Sequence, residues 1–556
     1  MKLLTILGYD LHNFKKDRFM LRQIIAPRYM TLTGSILLML IFGGLAAIYR
    51  SDALILITLA FAALSAVGLH DLFQTRHAIL RNYPIMAHMR FFLESVRPEM
   101  RQYFFEGEKD GAPFPRDKRA IVYQRAKKQL DKRPFGTMYD VYQDQFEWLN
   151  HSMAPKPAAS LDTMRTVIGT GPQAYAASLL NISAMSYGAI SANAIRALNK
   201  GAKAGEFFHD TGEGGVSPYH REFGGDLVWE LGSGYFGARA ADGGFDAAKF
   251  AEVAADPQIK MVELKLSQGA KPGHGGVLPA AKVSAEISAI RGVPMGQDCV
   301  SPAHHSEFST PIGLLEFVAK MRDLSGGKPA GFKLCIGHRW EFMAICKAML
   351  ETGITPDFIV IDGKEGGTGA APLEFMDHVG MPLRDGLSFV HNALIGVGLR
   401  DRIKLGASGK ITSAFDMARV MALGADWCNS ARGFMFAVGC IQAQSCHTGQ
   451  CPTGVATQDP ARQRAIVVPD KAARVQSYHQ NTLIALTELV AAAGLSHPSE
   501  LRPSHFLRRG AADRVITYDQ QYEPMEPSEL LGPHDMTTVI GQAFAQASAQ
   551  SFARVG

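Results

Sequence analysis

No cysteine occurs before Cys299, and only seven occur in 556 residues: Cys299, Cys335, Cys346, Cys428, Cys440, Cys446 and Cys451. An odd number confined to the second half excludes a disulfide framework and points to a reducing compartment. Charge is scarce as well. Charged residues make up 20% of the chain and the formal net charge is +5, with no dense lysine or arginine block, which argues against nucleic acid as a partner. The sequence shows neither internal repeats nor low-complexity tracts. Hydrophobic residues reach 47%, so most of the chain is expected to fold, and its length exceeds the roughly 250 residues of one barrel-sized domain, so more than one unit is expected.

Charge is missing altogether from two stretches, YMTLTGSILLMLIFGGLAAIY (29–49) and ALILITLAFAALSAVGL (53–69). Each approaches the length a helix needs to cross the hydrocarbon core, and three residues separate them, so the pair predicts a transmembrane helical hairpin at 29–70. Lys2, Lys15, Lys16, Arg18, Arg22 and Arg28 precede it, and Arg76 and Arg81 follow it. The positive-inside bias puts both flanks, and hence the catalytic domain, in the cytoplasm of a two-span protein of the cell or inner membrane. The alternatives are a buried hairpin or a cleaved signal peptide, although no small-residue cleavage site precedes a polar start. Neither run carries a charged residue, so the expected role is anchoring rather than transport.

Residues 71–152, rich in long charged and aromatic side chains, predict a helical connector between a cytoplasmic N-terminal segment with its hairpin and a main domain at 153–490; a C-terminal tail occupies 491–556 with a helix-like end, VIGQAFAQASAQSFARV. In the main domain short apolar runs alternate with helical patterns. Candidate strands are LLNISAM (179–185), KMVELKL (260–266), GFKLCI (331–336), DFIVIDG (357–363), RIKLGAS (402–408) and DWCNSA (426–431). Repeated βα units imply an α/β fold with a parallel sheet, either closed or doubly wound.

Chemistry concentrates in GCIQAQSCHTGQCPTGVATQDP (439–460), where Cys440, Cys446 and Cys451 share a loop bearing glycine and proline. Bunched thiolates within reach of backbone amides suit an iron–sulfur cluster, three ligands favouring a three-iron centre; buried apolar thiols are the alternative. This loop resembles the cluster segment of glutamate synthases, in which three cysteines at this spacing hold a [3Fe-4S] centre. ISAMSYGAIS (182–191), TGEGG (211–215), ELKLSQGAKPGHGG (263–276), SPAHH (301–305), GFKL (331–334) and GGTGAAP (366–372) resemble the same family in the same order, over roughly 150–465.

The resemblance implies an FMN-binding (β/α)8 TIM barrel. It implies flavin contacts from Ala184, Met185 and Ser186, from Lys333 near the ring's N1 side, from Gly367 and Thr368, and from Gly409, Ala431, Arg432 and Gly433 at the phosphate. Lys271 and Arg291 would hold the two carboxylates of 2-oxoglutarate, with Gln268 beside them and Glu213 near the flavin. The implied reaction is reductive amination of 2-oxoglutarate to glutamate, with ferredoxin or a reductase as electron donor. No cysteine precedes Cys299 to hydrolyse glutamine as an N-terminal nucleophile, so ammonia is expected from solution or a partner. Two positions depart from the family pattern: His274 stands where a carboxylate is usual and Val277 where an amide is usual, which leaves open a methylamine–glutamate N-methyltransferase-like enzyme. A membrane-associated flavin and iron–sulfur electron carrier is a third reading. GSGYFG (232–237) matches a dinucleotide fingerprint, but no apolar helix follows, so a nicotinamide site is rejected. His304 and His305 read as polar loop residues rather than metal ligands.

Overall fold

The computed structural model describes residues 26–511, 514–522 and 524–555, so the basic residues Lys2, Lys15, Lys16, Arg18 and Arg22 lie outside the described residues. Two compact units are present, 1–111 and 112–556. In the first, α1 (Met30–Tyr49) and α2 (Asp52–Phe73) run back on one another through the left-handed Arg50. The pair is held by a stack of Phe42 on Phe61 and by the hydroxyls of Ser35 and Ser65, 3.1 Å apart. Their apolar side chains mostly point outward: Leu40, Ile48, Leu56 and Leu59 are exposed. Helices this long and apolar can cross a membrane, and outward-facing leucines are not the pattern of a soluble core.

The second unit contains a closed parallel barrel of eight strands, each paired with its neighbour in sequence: β1 (Leu180–Ile182), β2 (His209–Asp210), β3 (Leu227–Leu231), β4 (Ile259–Lys265), β5 (Ala330–Leu334), β6 (Phe358–Asp362), β7 (Lys404–Ser408) and β8 (Trp427–Ser430), which returns to β1. All six strands expected from sequence form, and β2 and β3 complete the ring. Alternation along the strands divides the barrel cleanly. Outward residues such as Leu180, Ile182, Leu264, Ile359, Ile361 and Leu405 join the main core beneath the helices. Inward residues form two layers. The lower one, near the amino ends, is apolar: Phe208, Val228, Met261, Phe358, Val360 and Trp427, sealed below by the hairpin Arg165–Ile168/Tyr175–Ser178 through Ile168 and Ala177. The upper layer is polar and charged, with Asn181, Asp210, Glu230, Glu263, Lys333, Asp362 and Asn429 all buried. A sealed floor under a polar mouth puts the chemistry at the carboxyl ends of the strands.

The stretch 112–152, assigned from sequence to the connector, belongs to the second unit. Its helix α3 (Arg116–Ala126) is fixed to the barrel by Lys118, whose ammonium lies 2.7 Å from Asp416, and by Arg125, whose carbonyl accepts from Asn481 at 2.9 Å. In the tail, Phe506–Arg509 pairs with Glu147–Leu149 and Val515–Thr517, tying both ends of the unit together. The final helix is shorter than its sequence suggests, Val539–Ala545, because a turn at Ser548–Ser551 ends the pattern.

Candidate functional site

At the carboxyl ends of the strands opens a cavity. Of the candidate residues, Ala184, Met185, Ser186, Glu213, Gln268, Lys271, Arg291, Lys333, Gly367, Thr368, Gly409, Ala431, Arg432 and Cys446 all line it. Gly433 does not. It lies in the short helix Arg432–Ala437 with Tyr478 and the Ser430 hydroxyl against its α-carbon, so it serves packing rather than the cavity wall.

One wall is cationic. Lys265 lies 2.9 Å from Glu213. Burial alone would raise the Glu213 carboxyl, but Lys265, then Arg291 and Lys271, outweigh it and hold the group below its ordinary range. Three cations thus surround one carboxylate. Lys271 is buried, and desolvation pulls its ammonium down to about 8 despite the opposing charge of Glu213. Its ammonium donates to the Ala370 carbonyl at 3.0 Å, within the GGTGAAP loop. Arg291 donates to the Tyr187 carbonyl at 3.1 Å and sits 5.2 Å from the Phe236 ring centroid, while its Nε, also buried, has no hydrogen-bond partner. An unsatisfied buried guanidinium nitrogen is costly and marks where an acceptor fits.

The floor carries the charged layer. Lys333 lies 2.6 Å from Glu230, both almost fully buried. Burial would lower the Lys333 ammonium, yet Glu230, then Asp362, Glu263 and Asp210, hold it well above its ordinary value. The acids respond oppositely. Burial, reinforced by the charge of Glu230, pushes Asp210 up to about 8, and burial with the charge of Asp210 raises Glu263 strongly. Glu230 thus pairs with Lys333, while Asp210 and Glu263 hold their protons more tightly than free carboxyls. Ligand atoms of Asp210, Glu230 and Glu263 lie within 4.8 Å of one another, but the lysine already occupies the place of a cation there.

On the opposite side, Gly409 (φ +152°), Lys410, Ala431 and Arg432 line the cavity together, and Arg432 donates to the Thr368 carbonyl at 3.1 Å. Gly212 (φ +65°) shows how closely the backbone crowds the mouth: a Cβ there would lie 2.7 Å from the Ser186 nitrogen. A mouth walled by backbone and glycine, with cations on one flank, has the lining a flavin needs.

A second cleft shares Phe114, Val277, the loop 366–369, Lys410, Arg432 and Cys446 with the cavity and reaches Cys440 and His447. Cys451 lies behind it, buried. The three thiols are not all within the distance expected of ligands to one ion, yet Cys440 senses the charges of both Cys446 and Cys451. Donors converge on the sulfurs. Gln442 N–H points at the Cys440 sulfur at 3.5 Å, and the Thr453 hydroxyl lies 3.5 Å from that of Cys451. Burial would raise the Cys451 thiol, but hydrogen bonds from Thr453, Ala456 and Val455 bring it below its usual value. The Lys282 ammonium, lowered by burial, is drawn back up by Cys446 and Cys451. Donors at two of the sulfurs, with an ammonium that feels the charge of Cys446 and Cys451, are surroundings that favour thiolates.

The two motifs set aside from sequence lock together. His305 donates to the Lys265 carbonyl at 2.9 Å and accepts from the Tyr235 hydroxyl at 3.1 Å, so SPAHH and GSGYFG brace the strand end that carries Lys265. His274 lines the outer cleft, edge-on to Phe375, and Val277 borders both spaces. Sequence reasoning passed over Lys265, Glu230, Lys282, Lys410 and Phe114. For the first two a signal existed, since charged residues at inward positions of apolar strands need a partner or a purpose.

The model of the conserved region in glutamate synthase matches residues 132–496. The glutamate synthase large subunit-like protein YerD of Bacillus subtilis (strain 168) is 37% identical over 80% of this chain and 92% of its own. The chain belongs to the glutamate synthase family. Among other members of the family, the archaeal glutamate synthase (NADPH) of Methanocaldococcus jannaschii is 35% identical over 59% of this chain and 61% of its own. The archaeal-type glutamate synthase (NADPH) of Thermotoga neapolitana is 34% identical over 59% and 62%. Against these two glutamate synthases the chain therefore spans about six-tenths of their length.

Proposed function

We propose that this glutamate synthase-type oxidoreductase aminates 2-oxoglutarate reductively to glutamate, using FMN in the inner cavity and a [3Fe-4S] cluster on Cys440, Cys446 and Cys451. The observation that carries it is the charge of the substrate wall. Lys265, Lys271 and Arg291 surround Glu213, a surplus of two positive charges that matches a dicarboxylate dianion. Arg291, with its unsatisfied Nε, takes one carboxylate, and Lys271 takes the other by leaving the Ala370 carbonyl. Gln268 lines the same wall and orients the substrate.

When bound, FMN supplies hydride and the cluster supplies single electrons. The protein does the rest. Gly409, Ala431 and Arg432 would hold the phosphate, and the Lys333 ammonium would offset negative charge on the reduced ring. Glu213, kept ionised by three cations, retains no proton to give, so it positions cations and the incoming amine. Ammonia comes from solution or a partner, and electrons from a ferredoxin or a reductase. The two apolar helices span the membrane with the barrel on the cytoplasmic side, which protease accessibility of sealed vesicles tests.

The deciding experiment uses detergent-purified protein, reduced without oxygen. Flavin reoxidation by 2-oxoglutarate is expected only when ammonia is present, with glutamate as product. Formation of N-methylglutamate and free ammonia from glutamate and methylamine, with no net change in flavin redox state, would favour the transferase reading, for which the apolar Val277 in the wall offers a surface; reoxidation indifferent to 2-oxoglutarate would leave an electron carrier.

A further inference from the structure

The family match begins at residue 132, yet one side chain lining the inner cavity comes from before it. Phe114 is buried, borders both the cavity and the outer cleft, and packs edge-on against Phe436 with ring centroids 5.3 Å apart. Lys410 lies over its other side, 5.6 Å from the ring centroid. The backbone around Phe114 is bonded to the cysteine loop. Phe114 N–H donates to the Gln442 side-chain oxygen at 3.1 Å, and the Gln442 amide nitrogen donates back to the carbonyls of Phe114 at 3.1 Å and Ala112 at 3.3 Å. Gln444 adds a bond to the Ala112 carbonyl at 3.0 Å. From α3, the Tyr123 hydroxyl donates to the carbonyl of Cys440 itself at 2.6 Å.

Gln442 and Gln444 both hold left-handed backbone, φ +61° and +55°, a conformation that costs a non-glycine residue about 1–2 kcal/mol. That conformation aims the Gln442 N–H at the Cys440 sulfur. The side chain that binds the 112–114 backbone and the main chain that faces the thiol belong to one residue. Its amide therefore fixes the peptide that presents Cys440.

We propose that residues 112–126, which precede the matched conserved region, form a clasp in which Gln442 and Tyr123 are positioning residues for Cys440 and Phe114 is the wall between the inner cavity and the outer cleft. The inference rests on the proposed cluster and flavin, but its mechanical part concerns the chain's own residues.

The test uses the full chain in detergent with Gln442→Ala, Tyr123→Phe and Phe114→Ala. In iron-stripped protein, alkylation of Cys440 is followed by mass spectrometry. Gln442→Ala and Tyr123→Phe are expected to raise its rate about tenfold, the equivalent of one lost hydrogen bond, while Cys346 stays unreactive. In iron-loaded protein the same variants release iron faster to a chelator and alter the paramagnetic spectrum of the oxidised cluster, while flavin content and melting temperature stay as in the parent. Phe114→Ala is expected to make bound flavin more accessible to iodide quenching, and Phe114→Leu to restore protection. Unchanged Cys440 alkylation in both variants, or flavin loss and melting that fall in step with iron, would overturn the clasp. Unchanged iodide quenching in Phe114→Ala would overturn the wall. A parent protein that binds no iron would sink the cluster assignment, and the alkylation arm would still decide the clasp.

Discussion

Replacing Lys333 by methionine removes the ammonium that contacts Glu230 at 2.6 Å inside the barrel. Length and apolar contacts are largely kept, so the main loss is charge. Stripping one partner from a buried ion pair costs about 3–5 kcal/mol, which for a unit of this size lowers the melting temperature by roughly 3–5 °C. The pH dependence identifies the cause. Without the lysine, the cation that offsets burial and like charge at Asp210 and Glu263 is gone, so the buried carboxyl cluster holds its protons more tightly still in the folded state. A raised carboxyl holds its proton more tightly folded than unfolded. Its contribution to stability is therefore full below the unfolded pKa near ~4.3 and is lost as pH rises toward the folded value, by about 1.4 kcal/mol per pH unit. The deficit of the variant against the parent should widen between pH 6 and 8 and narrow toward pH 5. Differential scanning fluorimetry of flavin-free protein across that range measures it without interference from cofactor loss. A deficit that is constant with pH, or no deficit, would refute the argument that Lys333 neutralises a shared carboxyl cluster.

Affinity for 2-oxoglutarate should be steady below pH 8 and fall up to tenfold per unit above it, because the Lys271 ammonium, brought down to about 8 by burial, loses its proton there; spectral titration at fixed ionic strength reports it. Lys271→Met should weaken that binding by two orders of magnitude or more and flatten the pH profile, with flavin content unchanged. Gly212→Ala should cost roughly 1–3 kcal/mol of stability and lower flavin occupancy, since φ +65° disfavours a side chain and the new methyl meets the Ser186 nitrogen; flavin per protein after gel filtration checks it. Cys446→Ser should reduce iron and inorganic sulfide to background while the barrel keeps its melting temperature.

The repeating βα pattern made the barrel legible, and strands such as DFIVIDG announced themselves because a buried parallel strand is apolar throughout. β2 did not, since two residues, His209 and Asp210, carry no period. β3 escaped because Glu230 interrupts LVWEL, and that interruption is the functional content of the strand. For the site, motif order in the sequence located much of the cavity wall but passed over Glu230, Lys265, Lys410 and Phe114. What stayed hidden were partners brought in from afar. Lys265 and Glu213 meet only because the closed barrel brings the loop after β2 to the end of β4, and Phe114 reaches the cavity from a segment that carries no motif of its own. Gly433 reads like a phosphate turn in sequence, yet Tyr478 on a distant helix claims its space.

Closure of the ring has a kinetic corollary. Cys428 in β8 pairs with Leu180 in β1, so the first strand made must wait for the last before its outer edge is covered. Such distant pairing slows folding and leaves an open strand edge exposed during synthesis. The cavity mouth draws on both β1 and β8, so it cannot be complete until that seam is sewn. Cofactor loading should accordingly trail translation of the whole barrel.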